Sequence, residues 1–212
     1  QMFSLLKNTN LAFAARLQIL LRYADAIQQA LDFADFPALT ALSQEIPAQL
    51  FSSPRDFTDS PQLLLSDLLE FLASLEPIDP RWTKRLRKLA QKLPQLLPLS
   101  EQLPFQNLCS YTLYRYLLKS VWDSDCLSRT KFAILFTLLC RLLWLALPGE
   151  STSDLPIEPP TDSRINCIKA ISKELEYSEE NLQTLLDLSW KHEEQGGFLS
   201  IDSLSCLSDF LF

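Results

Sequence analysis

FAILFTLLCRLLWLAL, residues 132–147, is the stretch whose reading decides the fold. At 100° per residue its leucines and aromatics surround the helix axis, leaving Thr137 and Arg141, spaced i, i+4, as the single polar seam. A helix that is apolar all round is buried, in protein or in lipid. These sixteen residues fall short of the roughly 20 that span a bilayer. An arginine at mid-membrane also costs about 2.5–3.5 kcal/mol. The stretch is therefore expected to be the central core helix of a bundle. Arg141 then needs a buried acceptor or a cavity, because an unpaired buried charge is expensive.

The composition around it points the same way. Of 212 residues, 46 are leucine, ten isoleucine and one valine, Val121. Leucine loses little rotamer freedom in a helix, whereas β-branched residues suit the pleated surface of a strand. An all-α fold follows: an irregular bundle of about eight or nine helices with no significant sheet. The three glycines, Gly149, Gly196 and Gly197, draw neither a G-x-G-x-x-G turn nor a phosphate loop. A formal charge of −7 argues against a general nucleic-acid binder. Five cysteines (Cys109, Cys126, Cys140, Cys167, Cys206) are odd in number and scattered, which reads as free thiols in a reducing cytoplasm and no metal site. The opening Gln1 suggests a piece of something longer.

Helix punctuation is legible along the chain. Asn8-Thr9-Asn10 reads as a cap for a helix from Leu11 to about Asp35, and Pro37 opens a second through Glu45. Ser60-Pro61 and Asp79-Pro80 pair a capping side chain with proline at the first helical position, opening helices near 61–75 and 80–93. After a stretch broken by Pro94, Pro98 and Pro104 come apolar helices near 105–122 and 129–147. Residues 148–162, rich in proline, read as a loop or linker between a main bundle, 1–147, and three C-terminal helices, 163–212, that pack on it.

Two surface stripes stand out. Arg81, Lys84, Arg85, Lys88 and Lys92 share one arc of the 80–93 helix, with Trp82, Leu86, Leu89, Ala90 and Leu93 opposite. A basic stripe on an acidic protein is expected to dock an acidic partner or an anionic membrane surface, or else to be an ordinary solvated face. On the 105–122 helix, Asn107, Tyr111, Tyr114 and Leu118 share a face, with Arg115 beside Tyr111. Amide and phenol groups at that spacing line a polar pocket for a small ligand or a lysine side chain, or else supply structural hydrogen bonds. His192 is the single histidine and lies in a charged run, so no triad or histidine-rich metal site can be built around it. Glu174 and Glu176, two apart, point to different helix faces.

The run Phe105-Gln106-Asn107-Leu108, Tyr111, Tyr114-Arg115-Tyr116, Leu127-Ser128-Arg129 and the apolar helix through Arg141 resembles the C-terminal half of bacterial flagellin lysine-N-methylases. There an acid–asparagine pair opens a tyrosine-rich helix. The segment from Ile171 to Ser178, with Asn181, is similar to the family's K-E-L-E-H-S…N run, and Leu5-Leu6 through Arg16-Leu17 to its opening LL…RL helix. Gln106 stands where the acid is usual, and Tyr177 where the histidine is. The resemblance implies a lysine N-methyltransferase that carries a methyl group from S-adenosylmethionine to lysines of flagellin. This chain would be its helical C-terminal part, inactive alone, with Asn107, Tyr111, Tyr114, Arg115 and Arg141 near a substrate or cofactor pocket. Tyr111 and Tyr114 are the candidates for accepting the lysine proton. The family's cysteine motif, tied to an iron–sulfur cluster, lies in a missing N-terminal module, and the scattered cysteines here do not replace it. The competing expectation is a non-enzymatic helical module that holds an acidic partner through the basic stripe.

Overall fold

The computed structural model describes residues 1–51, 60–93, 103–146 and 161–212, and among these residues every regular element is helical. The helices are α1 (Met2–Leu6), α2 (Phe13–Asp32), α3 (Phe36–Gln44), α4 (Pro61–Ser74), α5 (Trp82–Lys92), α6 (Leu103–Leu117), α7 (Ser120–Asp123), α8 (Cys126–Leu145), α9 (Thr161–Ile171), α10 (Glu179–Gln195) and α11 (Ile201–Leu211). A 3₁₀ turn, Ala48–Phe51, follows α3, and a π-helical turn, Ser172–Glu176, extends α9. The prolines at 94, 98, 156, 159 and 160, and nearly all of the loop expected at 148–162, lie outside the described residues.

The apolar stretch does occupy the centre. In α8 only Leu143 and Leu145 escape full burial, and α2, α6, α9, α10 and α11 pack around it. It starts three residues earlier than its sequence suggests because two capping side chains meet there. Asp125 Oδ1 accepts from the Ser128 amide (3.0 Å), and Gln28 Oε1 accepts from the amides of Cys126 (2.9 Å) and Leu127 (3.2 Å). Three of the four amides a helix start leaves unpaired are thereby satisfied. No described helix is long and apolar enough to cross a membrane.

Three expectations are corrected at helix ends. Asn8 to Asn10 do not cap α2: its N-cap is Ala12, with no side-chain bond, and the Asn8 carboxamide accepts from the Asn10 amide in the turn after the short helix α1. Ser60 does not cap α4 either, since its hydroxyl donates to Gln62 Oε1, although Pro61 does stand at the first helical position. The helix expected to run to 122 ends at Leu117 and resumes as α7, which closes on Ser124 in the left-handed region (φ 58°).

Candidate functional site

α6 buries one face and exposes another. Phe105, Cys109, Thr112, Leu113 and Tyr116 turn inward, while the expected stripe of Asn107, Tyr111, Tyr114 and Leu118 turns out. Tyr111 is 56%, Tyr114 62% and Leu118 56% exposed, so the stripe is an outer face of the helix. On α7, the next element along the chain, Val121 is 79% and Trp122 91% exposed. Arg115 Nη1 donates to the Tyr111 hydroxyl (3.2 Å), and the Phe3 ring of α1 tilts against Tyr114 at 6.4 Å between centroids.

Behind that face lies a polar cluster the sequence did not single out as a site. The Tyr116 hydroxyl donates to Glu176 Oε1 (3.1 Å), Arg115 Nη1 lies 3.4 Å from the same oxygen, and the Ser172 hydroxyl donates to Glu176 Oε2 (2.5 Å). Burial, then Glu176, pushes the Tyr116 phenol far above its ordinary range. The π-helical turn reaches in two directions, as the two-residue spacing of Glu174 and Glu176 implies. Glu174 is buried and accepts from the amides of Ile78 (2.8 Å) and Asp79 (2.7 Å), in the connection leading into α5. Asn181 holds both sides of that junction, donating to the carbonyls of Glu76 and Glu174 at 3.0 Å each, and Ser178 caps α10. Tyr177, at the position where histidine is usual, points outward.

Arg141, expected near a substrate or cofactor pocket, is fully buried. Its guanidinium lies over the Phe105 (5.1 Å) and Phe212 (5.0 Å) rings, and Nε donates to the Leu211 carbonyl (3.1 Å). This acceptor and the two ring faces hold the charge in the core. A second buried cation, Lys131, donates to Glu193 Oε2 (2.6 Å) and the Ser189 carbonyl (3.1 Å). Its hydrocarbon-rich helix gave no sign of it, because a lysine directly before the apolar stretch reads as its solvated start.

The basic stripe divides. Trp82, Leu86 and Leu89 are buried, as the amphipathic pattern requires. Arg81 pairs with Asp79 (2.8 Å), holding that carboxyl well below the usual range, and Lys84 is exposed. Arg85, Lys88 and Lys92 instead line a groove of about 340 Å³ against α8 and α9. A wider groove, about 730 Å³, runs between α2, α3 and the 3₁₀ turn, with Ala26, Ala30 and Leu42 among its lining and Asp35 and Glu45 as its carboxylates.

Cys109, Cys126, Cys140 and Cys206 are buried and Cys167 is half-buried, all as free thiols. Burial pushes Cys109 and Cys126 up to about 12. Thiols kept protonated in that way are poor metal ligands and poor nucleophiles. Among the described residues no group of three or more His, Cys, Asp or Glu is placed to hold a metal.

With this geometry in hand, comparison with known proteins gives one family. A family model described as the FliB lysine N-methylase C-terminal domain matches residues 1–207. No curated protein and no solved structure matches the chain.

Proposed function

The chain belongs to the FliB lysine N-methylase C-terminal domain family, and on that footing we propose that it is the substrate-docking part of a protein-lysine N-methyltransferase acting on flagellin. The observation that carries the reading is the exposed face of α6 and α7. Monomeric proteins seldom leave two tyrosines, a tryptophan and two aliphatic side chains standing together in water, and tyrosine, tryptophan and arginine dominate the energetics of interfaces. Tyr111, Tyr114, Leu118, Val121 and Trp122 supply that composition, with Arg115 beside them.

S-Adenosylmethionine, when bound in the full enzyme, supplies an electrophilic methyl group on a sulfonium. The α5–α8–α9 groove does not fit it. Three cations line that groove and oppose a sulfonium. On this reading methyl transfer belongs to another part of the full enzyme, and this chain presents the protein substrate. Tyr111 and Tyr114 are the groups on the docking face that would meet an incoming lysine where the catalytic part of the enzyme adjoins this face, and either phenol, once ionised, would take the ammonium proton. Five free thiols favour the reducing cytoplasm as the working compartment.

The test is methylation of flagellin by the full-length enzyme carrying Tyr114→Ser and Trp122→Ser. The expected result is a KM for flagellin raised at least tenfold with kcat nearly unchanged. Unchanged KM would end the docking proposal, and unchanged rates in Tyr111→Phe with Tyr114→Phe would end the role of the hydroxyls.

A further inference from the structure

The groove beside α5 has a character that substrate docking on α6 does not use. Arg85, Lys88 and Lys92 fall at i, i+3 and i+7 and form one wall. Leu89, Leu143, Ala146 and Ala170 make an apolar floor, and Ser163 and Asn166, in the first two turns of α9, stand at the edge. Among the described residues no carboxylate lines it. Lys92 donates to the Ala146 carbonyl (3.2 Å), while Arg85 and Lys88 have no acidic partner among the described residues. Like charges one helical turn apart repel, so this wall carries an electrostatic cost that a bound anion would remove. Ser163, close to the N-terminus of α9, adds a hydroxyl where the helix dipole also favours negative charge.

We propose that this groove binds a small anionic amphiphile, a phosphate headgroup held by Arg85, Lys88 and Lys92 with its apolar body on Leu89, Leu143, Ala146 and Ala170. The size fits: about 340 Å³ lies at the small end of ligand pockets, enough for a short alkyl or aryl group and too small for a folded peptide. The charge fits one ligand and not a polymer, because a protein of net charge −7 repels an extended polyanion while a local triad of cations holds one doubly charged phosphate. Arginine supplies a bidentate fork for two phosphate oxygens, and the lysines add point charges. The assignment is independent of lysine methylation, and the methyl donor, being a sulfonium, is not its ligand.

Cys167 gives the reporter. It lies in the groove wall, Arg85 partly offsets the upward push of burial on its thiol, and the other four cysteines are buried. The experiment measures maleimide labelling of Cys167 in the full chain with octyl phosphate, inorganic phosphate, or vesicles of phosphatidylglycerol, alongside calorimetric titration. Octyl phosphate is expected to bind and to slow labelling at least fivefold, with inorganic phosphate at least tenfold weaker. Equal protection by the vesicles assigns the headgroup to a lipid, and protection by octyl phosphate alone assigns a soluble ligand. In Arg85→Gln with Lys88→Gln, two exposed positions where the fold is not at stake, protection relative to the same variant without ligand is expected to vanish. Unprotected Cys167 at saturating octyl phosphate, or protection that survives in the double variant, overturns the proposal.

Discussion

Tyr116 of α6 and Glu176 of the π-helical turn, sixty residues apart, share a hydrogen bond of 3.1 Å that ties the back of the docking face to the C-terminal helices. The Tyr116 ring is fixed independently, edge-on to Phe132 at 4.8 Å, with the Arg115 and Lys119 cations over it. Tyr116→Phe therefore keeps the packing and removes only the hydroxyl. Glu176 retains Arg115 and Ser172, so the cost is expected at the low end for a bond to a charged group, about 1.5 kcal/mol. Urea denaturation with an unchanged slope checks it, and a midpoint equal to wild type refutes it.

Glu174 on the same turn accepts two backbone amides with its two oxygens. Glu174→Gln leaves one oxygen and turns an NH₂ group toward a donor, so one buried amide loses its partner, at about 1–3 kcal/mol. Because those amides start the connection into α5, hydrogen exchange at Ile78 and Asp79 is expected to speed up by at least tenfold. Exchange unchanged at both would show that the carboxylate does not hold this junction.

These two glutamates show where sequence reading reaches its limit. The apolar run of α8, the proline-led start of α4 and the serines capping α10 and α11 are local signals, and each produced its helix. The outward tyrosine stripe was equally visible as a helical spacing, but its meaning depended on what covers it. A wheel cannot distinguish an exposed face from a pocket wall. Arg141, Lys131, Glu174 and Glu176 depend on partners 58 to 96 residues away, which periodicity does not report. Two short motifs of the flagellin-methylase resemblance did land on such a contact without revealing it. Arg16 of the opening helix donates to Gln106 at the position where an acid is usual.

That contact yields its own prediction. Arg16 is buried, its guanidinium lies 5.0 Å from the Phe13 ring centre, and Nη1 donates to the Leu6 carbonyl (2.5 Å) and to Gln106 Oε1 (2.7 Å). Burial holds its pKa below the ordinary arginine value, a sign that the charge is under-compensated. Gln106→Glu places a carboxylate at the same oxygen position, and a charge-assisted bond is about twice as strong as a neutral one. A gain of about 1 kcal/mol at pH 7 is expected, after the cost of partly burying the new charge. The new glutamate's pKa falls on folding, so the gain is present above about pH 4.3 and fades as pH drops through the folded value. A variant less stable than wild type at pH 7 would show that desolvation wins.

His192 supplies a pH dependence of the opposite origin. Its Nδ1 accepts from the Leu199 amide (3.2 Å), and its ring stands edge-on to Phe198 at 4.6 Å. Gly197 is required between them: with φ at +142°, an added Cβ would lie 2.7 Å from the imidazole carbons. Burial first, and then the Lys131 ammonium, hold the imidazole below its usual 6.5. The folded protein thus takes up a proton less readily than the unfolded chain. Between the folded value and 6.5 the unfolded chain carries more protons, so stability rises with pH across that window. The contribution is in place above pH 6.5 and is lost as pH falls through the folded value, when Nδ1 gains a proton and can no longer accept from Leu199. His192→Asn keeps an acceptor, Oδ1, that does not titrate. From pH 7 to pH 5 the wild-type Tm is expected to fall further than that of the variant. Equal falls in the two proteins would place the acid sensitivity of the α10–α11 junction elsewhere.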